Sequence, residues 1–167
     1  MTTIPWNTSS PSPRFITRTL SILTATDASW TLTALRLVLG AVMLPHGAQK
    51  LLGWFGGYGF AGTMGYFTGT LGMPWIFALA AILAETVGAA ALLAGAGTRI
   101  AALGISANMV GATLLVHLPN GFFINWFGNQ KGEGIEYFLL ALALSLTLVV
   151  RGGGRFSADR AINNRIV

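Results

Sequence analysis

Long apolar runs dominate the chain, separated by short polar or glycine-rich segments. They read "WTLTALRLVLGAVMLPHGAQKLL" over 30–52, "WIFALAAILAETVGAAALLAG" over 75–95, "IAALGISANMVGATLLVHL" over 100–118 and "GIEYFLLALALSLTLVV" over 134–150. Each reaches, or with its flanks nearly reaches, the ~30 Å of a bilayer core at ~1.5 Å per residue. No segment alternates apolar and polar positions as a barrel strand must. The pattern predicts an all-α, integral membrane four-helix bundle over residues 29–152. The second and third spans are joined only by "AGTR" and form an antiparallel hairpin.

The flanks have another character. Residues 1–28 are Ser/Thr/Pro-rich and are expected to form a disordered cytoplasmic tail, with "RFITRTLSIL" resting on the membrane interface. The apolar piece near Ile22 is too short, and lacks a following small-residue site, for a cleaved signal peptide. An organelle transit peptide shares this composition, so a targeting role stays open. Residues 153–167 read as a basic cytoplasmic tail.

Composition agrees with the pattern. Of 167 residues, 53% are hydrophobic and 9% charged, with a mean hydropathy of +0.66; soluble domains carry about 25% charged residues. The net charge of +5 is scattered at the ends of apolar runs, which argues for membrane topology and against nucleic acid. Arg14 and Arg18 precede the first span, Arg99 lies between the second and third, and Arg151, Arg155, Arg160 and Arg165 follow the fourth. Only Lys50 and Lys131 lie on the opposite side. Both termini are therefore expected in the cytoplasm. There are no cysteines, which excludes disulfides, iron–sulfur clusters and thiol relays within this chain.

The two segments on the far side, 53–74 and 119–131, are rich in aromatics, the first also in glycine. They suit an aromatic belt at the outer interface, a flexible lid over a site between the helices, or both.

Arg36, His46, Lys50, Glu85, His117 and Glu136 lie within or at the ends of spans. A charge at mid-membrane costs at least ~2.5 kcal/mol, so such residues turn inward, pair or serve a function. At ~100° per residue Arg36, Gly40, Met43, Gly47 and Lys50 share one face of the first span, with His46 at its edge. Pro45 cannot donate to the carbonyl of Ala41 and is expected to kink the helix there. Arg36 stands alone on the cytoplasmic half and reads as an anchor that snorkels to the inner headgroups. The other five converge on the outer half. Ala80, Ala84 and Gly88, and Ala107 and Gly111, recur at four-residue spacing, which lets helices approach and buries Glu85. Lys50 or His46 is its natural partner, with Asn108 in support.

Three uses of this cluster stand side by side. It can be a structural polar network, or a quinone- or proton-handling redox site in which imidazole and carboxyl groups bond a quinone carbonyl and move protons. A metal site of His46, Glu85, His117 and Glu136 is chemically conceivable, but the Glu-x-x-His pairs of di-iron bundles are missing. Neither metal nor haem is assigned.

Several separated motifs also resemble the DoxX family. They are "LRLVLGAVMLPHGAQKLLGW", "ALAAILAETVGAAALLAGAGTRIAA", "KGEGIEYFLLALALSL" and "RGGGRFSADRAI", in the family's order over about residues 32–162. The family positions that map here are Arg36, His46, Gly47, Lys50, Glu85, Arg99, Glu136, Gly154, Arg155 and Asp159. The resemblance implies a four-helix protein of the bacterial or archaeal cytoplasmic membrane, similar to subunits of quinol oxidase and thiosulfate:quinone oxidoreductase. It supplies no catalytic residues.

Together these readings give a quinone-associated subunit of an oxidoreductase system, embedded in the lipid bilayer beside a redox partner subunit or further copies of itself. Glu85 and Glu136 are the expected proton-exchanging groups. His46, Lys50, His117 and Asn108 are the expected cofactor-binding groups. Arg36, Pro45, Gly47, Arg99, Arg155 and Asp159 shape the fold and its topology. A non-catalytic assembly subunit and a small-solute or proton-coupled transporter are the alternatives. Substrate, electron donor and oligomeric state are not encoded in any motif.

Overall fold

A computed structural model describes residues 13–166, and the part of the expected N-terminal tail over 1–12 lies outside the described residues. The described residues are helical, with no strand among them. Helix α1 spans Pro13–Thr24 and α2 Trp30–Leu52. A short α3, Gly59–Gly65, runs into a wider π turn at Tyr66–Thr70. Helix α4, Trp75–Ala94, and α5, Thr98–Asn120, form the expected hairpin. Helix α6 spans Glu136–Arg151 and α7 Ala158–Ile166.

Three of these, α2, α4 and α5, are long and apolar enough to cross a membrane. Helix α6 has 16 residues, or ~24 Å at the helical rise, short of a full bilayer core. The first span keeps the bounds that its hydrophobic run dictates, because Ser29 caps its N-terminus through Leu32 N and Gly53, at φ 73°, ends it in the left-handed conformation. Large apolar side chains such as Val38, Phe77, Val87, Leu103 and Leu114 remain exposed on these helices, the surface expected of a lipid-facing bundle.

Inside, α5 packs most extensively on α6, and α2 lies along α4. Leu39, Met43, Leu92, Ile105, Met109 and Leu148 form one buried core. The small residues at the interfaces permit close approach, and Ser106 donates to Ser145 Oγ at 2.7 Å across α5 and α6. Met64 of α3 packs on Ala78 and Ile82 of α4. The 53–74 segment thus folds a short helix onto the bundle.

Two expectations are corrected at the other end. Arg36 does not snorkel outward: it is 2% exposed. Helix α4 ends at Ala94, leaving carbonyls without intrahelical partners. The Arg36 guanidinium donates to two of them, Leu92 O and, at 2.7 Å, Leu93 O. It also donates to Gly153 O at 3.0 Å and Phe156 O at 2.8 Å, so the chain after α6 is tied to α2 and α4.

The described part of the basic C-terminal segment, 153–166, folds back on the bundle. Its Asp159 carboxylate accepts from Gly97 N at 2.7 Å and Thr98 N at 2.8 Å. Gly97, at the N-cap position of α5, has no capping side chain of its own, so a distant residue supplies one. Gly154 makes the turn with φ +85°, and a Cβ there would lie 2.6 Å from Thr33 Oγ1. Thr24 Oγ1 meets Asn163 Oδ1 at 3.2 Å, joining α1 to α7. Part of the N-terminal segment expected to be disordered is therefore helical, over Pro13–Thr24. Arg99 is likewise drawn into this end, donating to Ala25 O and Val149 O, while the Arg155 guanidinium lies 5.6 Å from the centre of the Trp30 ring.

Candidate functional site

The polar residues of the opposite end are positioned by one close helix contact. A Cβ on Gly47 would sit 2.6 Å from the Glu85 carbonyl carbon and equally close to Thr86 Cγ2. Only glycine lets α2 lie on the α4 backbone there, and this contact carries His46 and Lys50, one residue before and three after, to the level of Glu85. Pro45 lies within α2, whose helix continues past it to Leu52.

Glu85 occupies a five-residue π turn, Ala84–Gly88, inside α4. Such a turn widens the helix locally and re-aims its side chains, and it recurs at functional sites. Lys50 Nζ pairs with Glu85 Oε2, and Asn108 Nδ2 of α5 donates to Oε1 at 2.6 Å. The carboxylate is thus held by one charged and one neutral donor from two neighbouring helices. Its side chain is 6% exposed and that of Lys50 26%, so Lys50 forms the more open edge of the pair.

The pair opens onto a cavity of about 1080 Å³, lined also by Asn108, His46, His117 and Tyr137. Phe77 and Leu115, both exposed on the apolar flank of the bundle, line it too. One wall is a row of rings. His46 stands 6.0 Å from Tyr137 between centroids, Tyr137 5.2 Å from Phe138, and Phe138 4.1 Å from His117. The two histidines are therefore joined by tilted and edge-on aromatic contacts along one cavity. His117 Nδ1 lies 2.8 Å from Glu133 O. A carbonyl only accepts, so Nδ1 carries the hydrogen and Nε2 is the acceptor of the neutral ring.

Of the expected cluster, His46, Lys50, Glu85, Asn108 and His117 are brought to one cavity. Glu136 is not among its lining residues. Its Oε1 accepts from Ile124 N at 2.9 Å, and its own amide donates to Phe122 O. It belongs to the framework of the 121–135 loop, which supplied a nearer partner than the bundle. Glu133 does line the cavity, while its Oε2 holds Asn125 N at 2.6 Å. Tyr137, an aromatic in an apolar run, also lines the cavity, and its hydroxyl is the one sequence signal that sets it apart from its neighbours. Among the described residues no group of three or more His, Asp or Glu is arranged to hold a metal ion.

The family model described as DoxX matches residues 31–118. A protein of Bacillus subtilis (strain 168) named "Putative oxidoreductase CatD" is 29% identical over 124 residues, covering 74% of this chain and 80% of that protein. No solved structure matches.

Proposed function

The chain belongs to the DoxX family, and on that premise we propose that it is a quinone-associated membrane subunit of an oxidoreductase system. The observation that carries this reading is the joining of the Lys50–Glu85–Asn108 cluster to the His46–Tyr137–Phe138–His117 row in one cavity. An apolar chain can enter from the flank, a planar headgroup can lie against the rings, and polar groups meet its oxygens. These are the requirements of a ligand site with an apolar body and few polar anchors. The relative's name, which points to oxidoreductase chemistry, supports the same direction.

In this reading residues 29–152 form four spans in a bacterial or archaeal cytoplasmic membrane. Helix α6 spans with the help of its flanks and local thinning of the bilayer. The arginine-rich end, with α1 and α7, faces the cytoplasm, and α1 lies at the interface. The cavity then occupies the outer half. A bound quinone supplies two-electron, two-proton chemistry. His46 hydrogen-bonds a ligand oxygen, and the Glu85 carboxylate, held by Lys50 and Asn108, takes up and releases a proton. Glu136 has no part in that exchange, since its carboxylate serves the loop backbone. Electrons come from a partner subunit, because the sequence offers no cysteine for a cluster and no nucleotide-binding motif.

The test is titration of the purified full chain in nanodiscs with a short-chain quinone, followed by quenching of tryptophan fluorescence. The wild type binds in the micromolar range, whereas Glu85→Gln and His46→Ala weaken binding at least about tenfold at unchanged yield of folded protein. Absence of binding by the wild type overturns the reading. Variants that fail to accumulate support a structural polar network instead, and solute uptake by vesicles holding the protein supports transport.

A further inference from the structure

The Tyr137 hydroxyl is the unexplained group of the cavity. Its Oη is buried and has no hydrogen-bond partner among the described residues, although the ring lines the cavity and touches both His46 and Phe138. Leaving a buried hydroxyl unpaired is unfavourable, and native structures keep such groups few. A phenylalanine would serve the aromatic row equally well. The oxygen therefore calls for a function that the packing does not give it.

Tyr137 is the second residue of α6, in the family-like "GIEYF" segment, directly after Glu136, whose carboxylate is anchored to the loop at Ile124 N. That anchor holds the first turn of α6 in place, and with it the direction of the next side chain. On the other side of the ring stands His46, carried by the Gly47 contact. Two independently positioned groups, an imidazole and a phenol, thus meet at one place on the cavity wall.

We infer that Tyr137 is a ligand-binding residue whose hydroxyl donates a hydrogen bond to a carbonyl oxygen of a planar cyclic ligand, beside His46. This deepens the quinone reading and rests on it: it assigns one carbonyl of the ring to the Tyr137–His46 wall. It also defines the ligand class as one whose ring bears an accepting oxygen, since a phenol bonded to no protein group discriminates by its own unmet demand.

Tyr137→Phe removes only the oxygen and breaks no bond within the protein. The ligand-free variant in nanodiscs is expected to melt at or slightly above the wild-type temperature. Its affinity for a short-chain 1,4-quinone is expected to fall about five- to tenfold. A ring analogue with methyl groups in place of both carbonyl oxygens is expected to bind wild type and variant alike. Equal quinone affinity of the two proteins overturns this inference and leaves the quinone reading standing. A drop in the melting temperature of the ligand-free variant, or an equal loss for the methyl analogue, assigns the hydroxyl to packing and overturns it as well. A wild type that binds no quinone overturns both.

Discussion

Lys50 and Glu85, 35 positions apart in sequence, form an ion pair between α2 and α4 beside the cavity. The carboxylate is the more deeply buried member, so the two partners are not equivalent. Removing Lys50 strands a charge that Asn108 alone must hold, whereas neutralising Glu85 leaves an amine that can still reach the open edge. Breaking a fully buried pair costs 3–5 kcal/mol; with Lys50 26% exposed, about 2 kcal/mol is the expected cost of Lys50→Met. Glu85→Gln is expected to cost less, and the double variant to recover most of the loss. A double-mutant cycle of melting temperatures in detergent checks the order, and additive effects would exclude the coupling.

The backbone contact at Gly47 predicts a sharp position dependence. A methyl group there would overlap the Glu85 carbonyl carbon and Thr86 Cγ2 at 2.6 Å, so Gly47→Ala is expected to destabilise by about 1–3 kcal/mol. Gly111, at which a Cβ would meet nothing within 4 Å, is the control. Its replacement by Ala is expected to leave stability unchanged or raise it by up to about 1 kcal/mol, the intrinsic helix preference. Thermal denaturation of both variants decides the point.

Asp159 caps α5 from outside that helix. Asp159→Ala is therefore expected to cost about 1–2 kcal/mol, the range of a lost N-cap, and to loosen α5 at its start. Hydrogen exchange at Gly97 and Thr98 should accelerate ahead of exchange in the α5 interior. Unchanged protection at these two amides would show that the carboxylate does not hold them.

The proposed orientation can be read directly, because the chain has no cysteine of its own. Asn129 and Asn164 are both exposed and lie at opposite ends of the bundle. In intact cells, Asn129→Cys is expected to react with a membrane-impermeant maleimide, and Asn164→Cys only after permeabilisation. The reverse pattern would invert the topology.

Much of the scaffold was legible in one dimension. The hydrophobic run over 30–52 is the α2 helix, residue for residue, since its cap at Ser29 and stop at Gly53 are local signals. Gly40, Met43 and Gly47, which share one face by the helical period, are buried together. An acid in an apolar helix needs partners, and Lys50 or His46, with Asn108, stood at its level; the structure pairs Glu85 with Lys50 and Asn108. Less of the site was legible. Arg36 reads as a surface anchor until the chain end folds back and offers carbonyls that no local pattern can announce. Glu136 reads as a cavity residue until the 121–135 loop takes its carboxylate.

Taken alone, the residues thus specify a helical chain, the course of its long apolar helices, most of the positions on their inner faces and the family it resembles. These depend on composition and on the period of side chains along one helix. The placing of α3 on α4, the capping of α5 by Asp159, the π turn at Glu85 and the Tyr137 hydroxyl left without a hydrogen-bond partner among the described residues came from the packing of the whole chain. Each of these is set by how separate segments rotate and approach in space, and the partner of a polar atom is chosen there, among groups far apart along the chain.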